Sequence, residues 1–409
     1  MPDNNTTNNF LQLEDSYSAH NYHPLPVVLS KGKGVYVWDI EGKQYLDFLS
    51  GYSALNQGHC HPEIINTLVQ QASTLTLTSR AFYNDQYGPY AKFISSYFGY
   101  DKILPMNTGA EAVETAIKLC RKWAYEVNGI TPEKAQIIVC NNNFHGRTTT
   151  IVSFSSDAES FTNFGPFSSG FLSIPFNDIN ALEQALQNEN IAGFLVEPIQ
   201  GEAGVIVPED GYLKKAKSLC EKNNVLFIAD EIQTGIGRTG KRLACDYEGV
   251  HPDILILGKA LSGGVFPISA VLASNQIMLT IKPGQHGSTF GGSPLSSAIA
   301  KTAIEVIEKE KMAENALKMG EIFRDSISAL QSKYISDIRG KGLMNAIEIV
   351  HPNNNAAWEL CMELMKNGLL AKPTHGNKIR FTPPLLISQK QIEEAIEIIE
   401  NSLHCLDTL

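Results

Sequence analysis

Several features are scarce or missing in this 409-residue chain, and each absence narrows what it can do. Its seven cysteines are scattered from Cys60 to Cys405 with no Cys-X-X-Cys pair. An odd, dispersed set of this kind reads as reduced thiols in a cytosolic protein. There is no excess of basic residues: 33 Lys and Arg stand against 43 Asp and Glu, for a net charge of −10. That balance argues against non-specific binding to nucleic acid or to an anionic membrane. No apolar run is long enough to span a bilayer. The opening stretch MPDNNTTNNFLQLEDS lacks a basic region, an apolar core and any arginine. Neither a signal peptide nor a transit peptide is expected from it, and a cytoplasmic location is. Residues 1–20 are polar and Asn-rich and are expected to be mobile. No internal repeat is visible. A metal set is not expected either. Gly58-His59-Cys60-His61-Pro62 is spaced too tightly for most zinc sites and suits a loop entering a helix at Pro62.

What is present is an ordinary globular composition, 43% hydrophobic and 19% charged. The length allows a large core and two or three domains. Short apolar, β-branched runs bounded by turn residues predict strands. They lie at 35–38, 44–49, 103–106, 135–140, 149–154, 192–196, 225–229, 254–257, 338–350, 369–374 and 378–381. Helical stretches include 179–186, 212–222, one long amphipathic run from 296 to about 334, and 388–403 opened by Ser388. Strands alternating with helices through the middle of the chain predict a mostly parallel, doubly wound α/β sheet. The later strands and helices predict a smaller α+β domain, joined by the N-terminal hairpin. The expected division is 1–55, 56–295 and 296–409.

The rest is organised around residues 225–264. One buried run ends in Asp230, and another ends in Gly258-Lys259. Both charges therefore leave carboxyl ends of strands, where open α/β sheets bind ligands. A lysine amine condenses with carbonyls, and in pyridoxal phosphate enzymes an Asp partners the pyridinium nitrogen. Alone, either residue reads as a surface lysine or a capping acid. Together, with a Gly-rich turn after the lysine, they favour the chemical reading.

Two further strand ends add to this. The run 103–106 feeds Asn107-Thr108-Gly109-Ala110-Glu111 and then a helix. That is either an ordinary capped helix or an anion site built from free N–H groups. Ala192 to Val196 ends in Glu197, with Gly201-Glu202-Ala203-Gly204 just beyond. Gly235-Ile236-Gly237-Arg238-Thr239-Gly240 matches GxGxxG but is a weak dinucleotide signal. Five residues separate it from its strand, and no clear helix follows.

Asp230-Glu231-Ile232-Gln233-Thr234-Gly235 with Gly258-Lys259-Ala260-Leu261-Ser262-Gly263-Gly264 resembles the signature of the class III aminotransferases, of pyridoxal phosphate fold type I. Asn21-Tyr22-His23-Pro24-Leu25-Pro26, the stretch Pro198 to Gly204, and Lys372-Pro373-Thr374-His375-Gly376 narrow it to members acting on the δ-amine of L-ornithine. The resemblance runs from about Tyr22 to the C-terminus. It implies amino transfer from L-ornithine to 2-oxoglutarate, with pyridoxal 5'-phosphate held by Lys259 and its ring nitrogen paired to Asp230. Thr108, Gly109 and Ala110 form the phosphate cup. Phe144 lies over the ring, although by itself it could be plain core, and Gln233 contacts the ring hydroxyl. The resemblance also implies a homodimer with shared active sites, in which Ser288 and Thr289 reach the neighbour's phosphate. Arg147 takes the remote carboxylate, while Tyr22, Tyr52, Glu202 and Arg380 define the substrate end.

Two positions depart from the pattern: His145 stands where animal members carry Trp, and Ser293 where Asn is commoner. Alternatives within the fold are an ω-aminotransferase for acetylornithine or 4-aminobutyrate, and an aminomutase that needs no 2-oxoglutarate. Tyr22 argues against the first pair.

Overall fold

A computed structural model describes residues 6–409. Among them are fifteen strands in three sheets. The chain opens with β1 (Leu29–Lys33), β2 (Tyr36–Asp39) and β3 (Gln44–Asp47). The central strands are β4 (Lys102–Met106), β5 (Gln136–Cys140), β6 (Phe171–Ile174), β7 (Ile191–Val196), β8 (Leu226–Asp230), β9 (Ile254–Leu257) and β10 (Ser269–Ala273). The last are β11 (Ile335–Lys341), β12 (Met344–Ile349), β13 (Leu369–Leu370), β14 (Lys372–Thr374) and β15 (Lys378–Phe381).

The central sheet has the order β4-β10-β9-β8-β7-β5-β6. Only β10 runs against its neighbours, so the carboxyl ends of the other six share one edge. Alternation along the strands sends side chains to two cores. Ile137 and Val139 pack under the helix Gly109–Glu126, whose Ala112, Val113, Ala116, Ile117, Cys120 and Trp123 recur at helical spacing. Ile138 and Cys140 face the helices Ile179–Ala185 and Tyr212–Lys222 on the other side. Every residue of β7 is buried, as a strand covered on both faces requires. The doubly wound sheet expected from the sequence is therefore present.

The second sheet, β1-β2-β3-β13, ties the N-terminal hairpin to the C-terminal part; the third is β11-β12-β15-β14. The run 369–374 is two strands rather than one. β13 pairs with β3 and β14 with β15, so the chain changes sheets at Ala371.

Other expectations are corrected. Residues 149–154 hold a short helix, Thr149–Val152, because the Thr148 hydroxyl accepts from the Ile151 N–H and caps it. The run 296–334 is two helices, Pro294–Lys309 and Met312–Ala329, broken where Lys311 takes φ +51. The stretch 338–350 is a hairpin of β11 and β12, turned at Gly342 with φ +54. Residues 7–17 form the helix Thr7–Tyr17, none of whose residues is buried; residues 1–5 lie outside the described part. The helix Pro62–Thr74 begins where expected. His59 pairs with Asp47 at 2.7 Å and His61 with Glu310 at 3.0 Å.

Candidate active site

The shared edge of the central sheet holds a cavity of about 210 Å³. Among its lining residues are Gly109, Ala110, Phe144, Glu197, Asp230 and Lys259. Three of them, Glu197, Asp230 and Lys259, lie at the ends of strands expected from the sequence.

Lys259 follows β9 and opens a single 3-10 turn, Lys259–Ser262. Its φ of +41° lies in the left-handed region. That conformation costs a side-chain-bearing residue on the order of 1–2 kcal/mol. Such strain recurs where function dictates placement. Burial lowers the amine to about 8, although the charge of Glu202 opposes the shift. A buried lysine of this kind is available as a neutral nucleophile near physiological pH.

Asp230 ends β8 and is 4% exposed. Its Oδ1 accepts from the Ile232 N–H at 3.1 Å, and its Oδ2 lies 2.6 Å from His145 Nδ1. Burial disfavours a charged His145, but the hydrogen bond and charge of Asp230 outweigh it and raise the imidazole above its usual range. The other ring nitrogen, Nε2, is buried with no partner among the described residues. In the sequence His145 stands out only as a departure from the family pattern. No local pattern joins two residues 85 positions apart.

Glu197 directly follows β7. It accepts from the N–H groups of Phe144 at 2.9 Å and Gly201 at 3.3 Å. Burial pushes it up to about 7, with His145 opposing and Asp230 adding to the rise.

The anion-site reading gains a physical basis at the helix Gly109–Glu126. Thr108 accepts from the Glu111 N–H at 3.2 Å, and Glu111 accepts from the N–H groups of Asn107 and Thr108, each at 2.9 Å. Gly109 and Ala110 lie in the first turn, where N–H groups have no intrahelical partner, and both line the cavity. Gly146, with φ +128°, lies over them. A Cβ there would come within 2.9 Å of the Ala110 methyl and crowd the cup.

Phe144 lines the cavity, and the exposed Arg147 guanidinium lies 5.8 Å from its ring centroid. Arg147 has no ion pair among the described residues. Arg380, on β15, is 2% exposed, and its Nη1 lies 2.7 Å from Glu202 Oε1. Burial would raise Glu202, but the charges of Arg380 and then Lys259 hold it at about 2. Gln233 lines the cavity, and its Nε2 donates to Glu202 Oε1 at 3.2 Å and the Tyr52 carbonyl at 3.3 Å. The amide nitrogen is thus engaged at the substrate end of the site. Tyr52, at φ +58°, packs with its ring centroid 5.6 Å from the Arg380 guanidinium. Burial raises its hydroxyl; Glu202 and Tyr22 add to this, and Arg380 and Arg147 oppose it. Those four groups therefore lie within electrostatic reach of Tyr52, although Tyr22 is 63% exposed.

Ser288 and Thr289 do not line this chain's cavity. Ser288 Oγ accepts from Asn107 Nδ2 at 2.7 Å, and Thr289 is exposed.

The donor set fits pyridoxal phosphate: a lysine of lowered pKa, a buried Asp with fixed orientation, unpartnered N–H groups at a helix start, and an aromatic wall. Comparison with known proteins agrees. Residues 17–403 match the family aminotransferase class-III. The mitochondrial ornithine aminotransferase of Drosophila melanogaster is 58% identical over 390 residues, spanning 95% of this chain and 90% of that protein. A solved ornithine aminotransferase from Toxoplasma gondii, crystallised with oxidised glutathione and reported with partial occupancy of PLP, superposes with a TM-score of 0.97 at 50% identity, covering 99% and 96% of the two chains. A solved acetylornithine aminotransferase from Elizabethkingia anophelis superposes at 0.90 with 56% identity, covering 97% and 99%. With the strand-end lysine and acid, the helix-start cup and this near full-length agreement taken together, the chain belongs to the class III aminotransferases, with their fold type I architecture.

Proposed function

We propose that this transaminase moves the δ-amino group of L-ornithine to 2-oxoglutarate, giving glutamate 5-semialdehyde and glutamate. The observation that carries the reading is the cation Arg380 masked by Glu202, both within electrostatic reach of Lys259, in a chain 58% identical to an ornithine aminotransferase. Pyridoxal phosphate, when bound, supplies the electron sink for a carbanion. The chain's own residues do the rest. Gly109 and Ala110 hold the phosphate through backbone N–H groups, and Phe144 walls the ring. Asp230, steered by His145 and the Ile232 N–H, holds a proton on the ring nitrogen. Lys259 binds the cofactor and carries a proton to and from the reacting substrate carbon. Arg147, free of an ion pair among the described residues, takes the carboxylate far from that carbon. Glu202 withholds Arg380 from ornithine and yields it to the near carboxylate of 2-oxoglutarate.

Acetylornithine as donor appears in the name of the Elizabethkingia anophelis relative, but the curated relatives at 52–58% identity are ornithine aminotransferases and do not favour it. An amino-donor panel with 2-oxoglutarate, with the carbonyl product identified, decides between them. The δ-reading expects pyrroline carboxylate, formed when the semialdehyde cyclises. Turnover of acetylornithine alone rejects it. We also infer a homodimer with shared sites. The exposure of Thr289 supports it, since the resemblance gives this residue to the neighbouring phosphate.

A further inference from the structure

The GxGxxG-like loop that binds no dinucleotide in this reading holds one of the most deeply buried cations of the chain. Arg238 is 0% exposed. Its guanidinium has no carboxylate partner among the described residues. Instead Nε and Nη2 donate to Asn56 Oδ1 at 3.1 and 2.6 Å, while Nη1 donates to the carbonyls of Leu343 at 2.9 Å and Pro383 at 2.6 Å. The Leu343 N–H returns a bond to the Arg238 carbonyl at 3.1 Å.

The positions of those two carbonyls matter. In the antiparallel pair β12–β15, Ala346 faces Arg380 and Asn345 faces Phe381. Continuing that register brings Leu343 opposite Pro383. A proline has no N–H, so the ladder cannot close there. Nη1 takes up both carbonyls instead. One guanidinium therefore ends the two-stranded ladder that carries Arg380, and binds it to the loop that begins at Asp230. Close packing reinforces the joint. A Cβ at Gly342 would fall 2.3 Å from the Thr239 carbonyl carbon, and one at Gly240 would fall 2.9 Å from the Leu317 Cβ. Gly342, in the β11–β12 turn, and Gly240 of the motif thus each allow a close backbone approach at this joint. Asn56 adds the third segment: its Nδ2 donates to the Ile236 carbonyl at 2.8 Å, and its own carbonyl accepts from the Leu385 N–H at 2.8 Å.

We propose that Arg238, held by Asn56, is a positioning residue that fixes Arg380 relative to the strand end bearing Asp230, and so sets recognition of the substrate carboxylate nearest the reacting carbon. The inference rests on the assignment of Arg380 to that carboxylate. Hydrogen bonds to a buried guanidinium are directional, and lysine has neither the fork nor the reach to satisfy three segments at once. Loosening the joint should therefore disturb the substrate that needs Arg380 and spare the one that does not.

The test uses the full-length holoenzyme and the variants Asn56→Ala and Arg238→Lys. Melting curves and cofactor absorbance first establish that each is folded and loaded. Single-turnover half-reactions are then followed with L-ornithine and with glutamate, and glutarate, a dicarboxylate that is not turned over, is titrated by calorimetry. The expected result is glutarate and glutamate affinity weakened on the order of tenfold, as for loss of a buried charged hydrogen bond. The ornithine half-reaction should stay within about twofold, which is the scatter of distant, uncoupled sites. Equal slowing of both half-reactions, or unchanged glutarate affinity in a folded variant, overturns the proposal. If Arg238→Lys fails to fold, Asn56→Ala decides, since it leaves the Nη1 bonds in place. If the wild-type enzyme does not use L-ornithine at all, the proposed donor is wrong. Glutarate affinity then still tests the positioning role, and an unchanged value in Asn56→Ala overturns it.

Discussion

Arg380 and Glu202, 178 residues apart, meet at 2.7 Å between Nη1 and Oε1, and only 2% of the arginine side chain is exposed. A nearly buried cation at the substrate end of the site would welcome any substrate carboxylate. Ornithine could then bind reversed and react at its α-amine. The carboxylate of Glu202 masks that cation, and a substrate carboxylate can take its place. Glu202→Ala should therefore speed the half-reaction with glutamate and abolish δ-selectivity towards ornithine. Arg380→Ala should spare the ornithine half-reaction and slow the one with 2-oxoglutarate by on the order of 10- to 100-fold. Single-turnover measurement of each half-reaction checks both. Equal slowing of both by either variant would leave the pair a structural contact only.

Lys259 should be the residue to which the cofactor is fixed. The purified enzyme should be yellow, and borohydride reduction should label the peptide that contains Lys259. Lys259→Ala should still bind the cofactor but lose roughly a thousand-fold or more in turnover, because nucleophile and proton carrier go together. A label on another peptide would reject the assignment.

Asp230→Asn keeps the shape of the side chain and removes its charge. Turnover should fall by about 100- to 1,000-fold, as when a preorganised charge is removed from a site. His145→Gln should fall less, since the Ile232 N–H still orients Asp230. Near wild-type turnover in Asp230→Asn, with the fold intact by circular dichroism, would reject its role at the ring nitrogen.

Glu197 offers a pH signature of stability. Its folded-state pKa is raised from 4.5 to about 7, so the folded state holds a proton that the unfolded chain has already released. Below the unfolded value both states are protonated and the group is neutral in effect. As pH rises from 4.5 towards 7, the native state loses stability relative to a residue that cannot ionise. The full effect is about 3 kcal/mol, an order-of-magnitude figure at about 1.4 kcal/mol per unit. Thermal melts of Glu197→Gln and wild-type apoenzyme should agree near pH 4 and separate above it, with the variant melting higher at pH 8. A difference independent of pH would contradict the assignment.

Subunit mixing tests the inferred dimer. Lys259→Ala and Thr289→Ala are each expected to be weak alone. If Thr289 serves the neighbouring site, a hybrid should hold one doubly damaged site and one with both groups intact, recovering activity on subunit exchange. Full activity in a monomer by sedimentation would exclude sharing.

Much of the large sheet was legible in the sequence because strand formation there is a local matter. The runs ending at Met106, Cys140, Val196, Ala229 and Leu257 are short, apolar and bounded by turn residues. Burial on both faces demands that pattern wherever the strand sits. Their terminal residues then place Thr108, Glu197, Asp230 and Lys259 on one edge with little further information. Thr108 with Glu111 likewise closes a capping box across three residues. Turns were less visible. The break at Lys311 depends on a left-handed residue inside a continuous amphipathic pattern, which periodicity cannot register.

Only the tertiary structure decided how distant side chains pair. His145 with Asp230, Glu202 with Arg380, and Arg238 with Asn56, Leu343 and Pro383 are joined across 85 to 182 residues. No hydrophobic period encodes such a contact. Strand order and register set which side chains meet, and packing then excludes the water that would otherwise weaken the bond between them. The sequence determined the chemical groups and the strand ends that carry them. Folding determined which acid masks Arg380, which base faces Asp230, and which cation holds the carboxylate end in place.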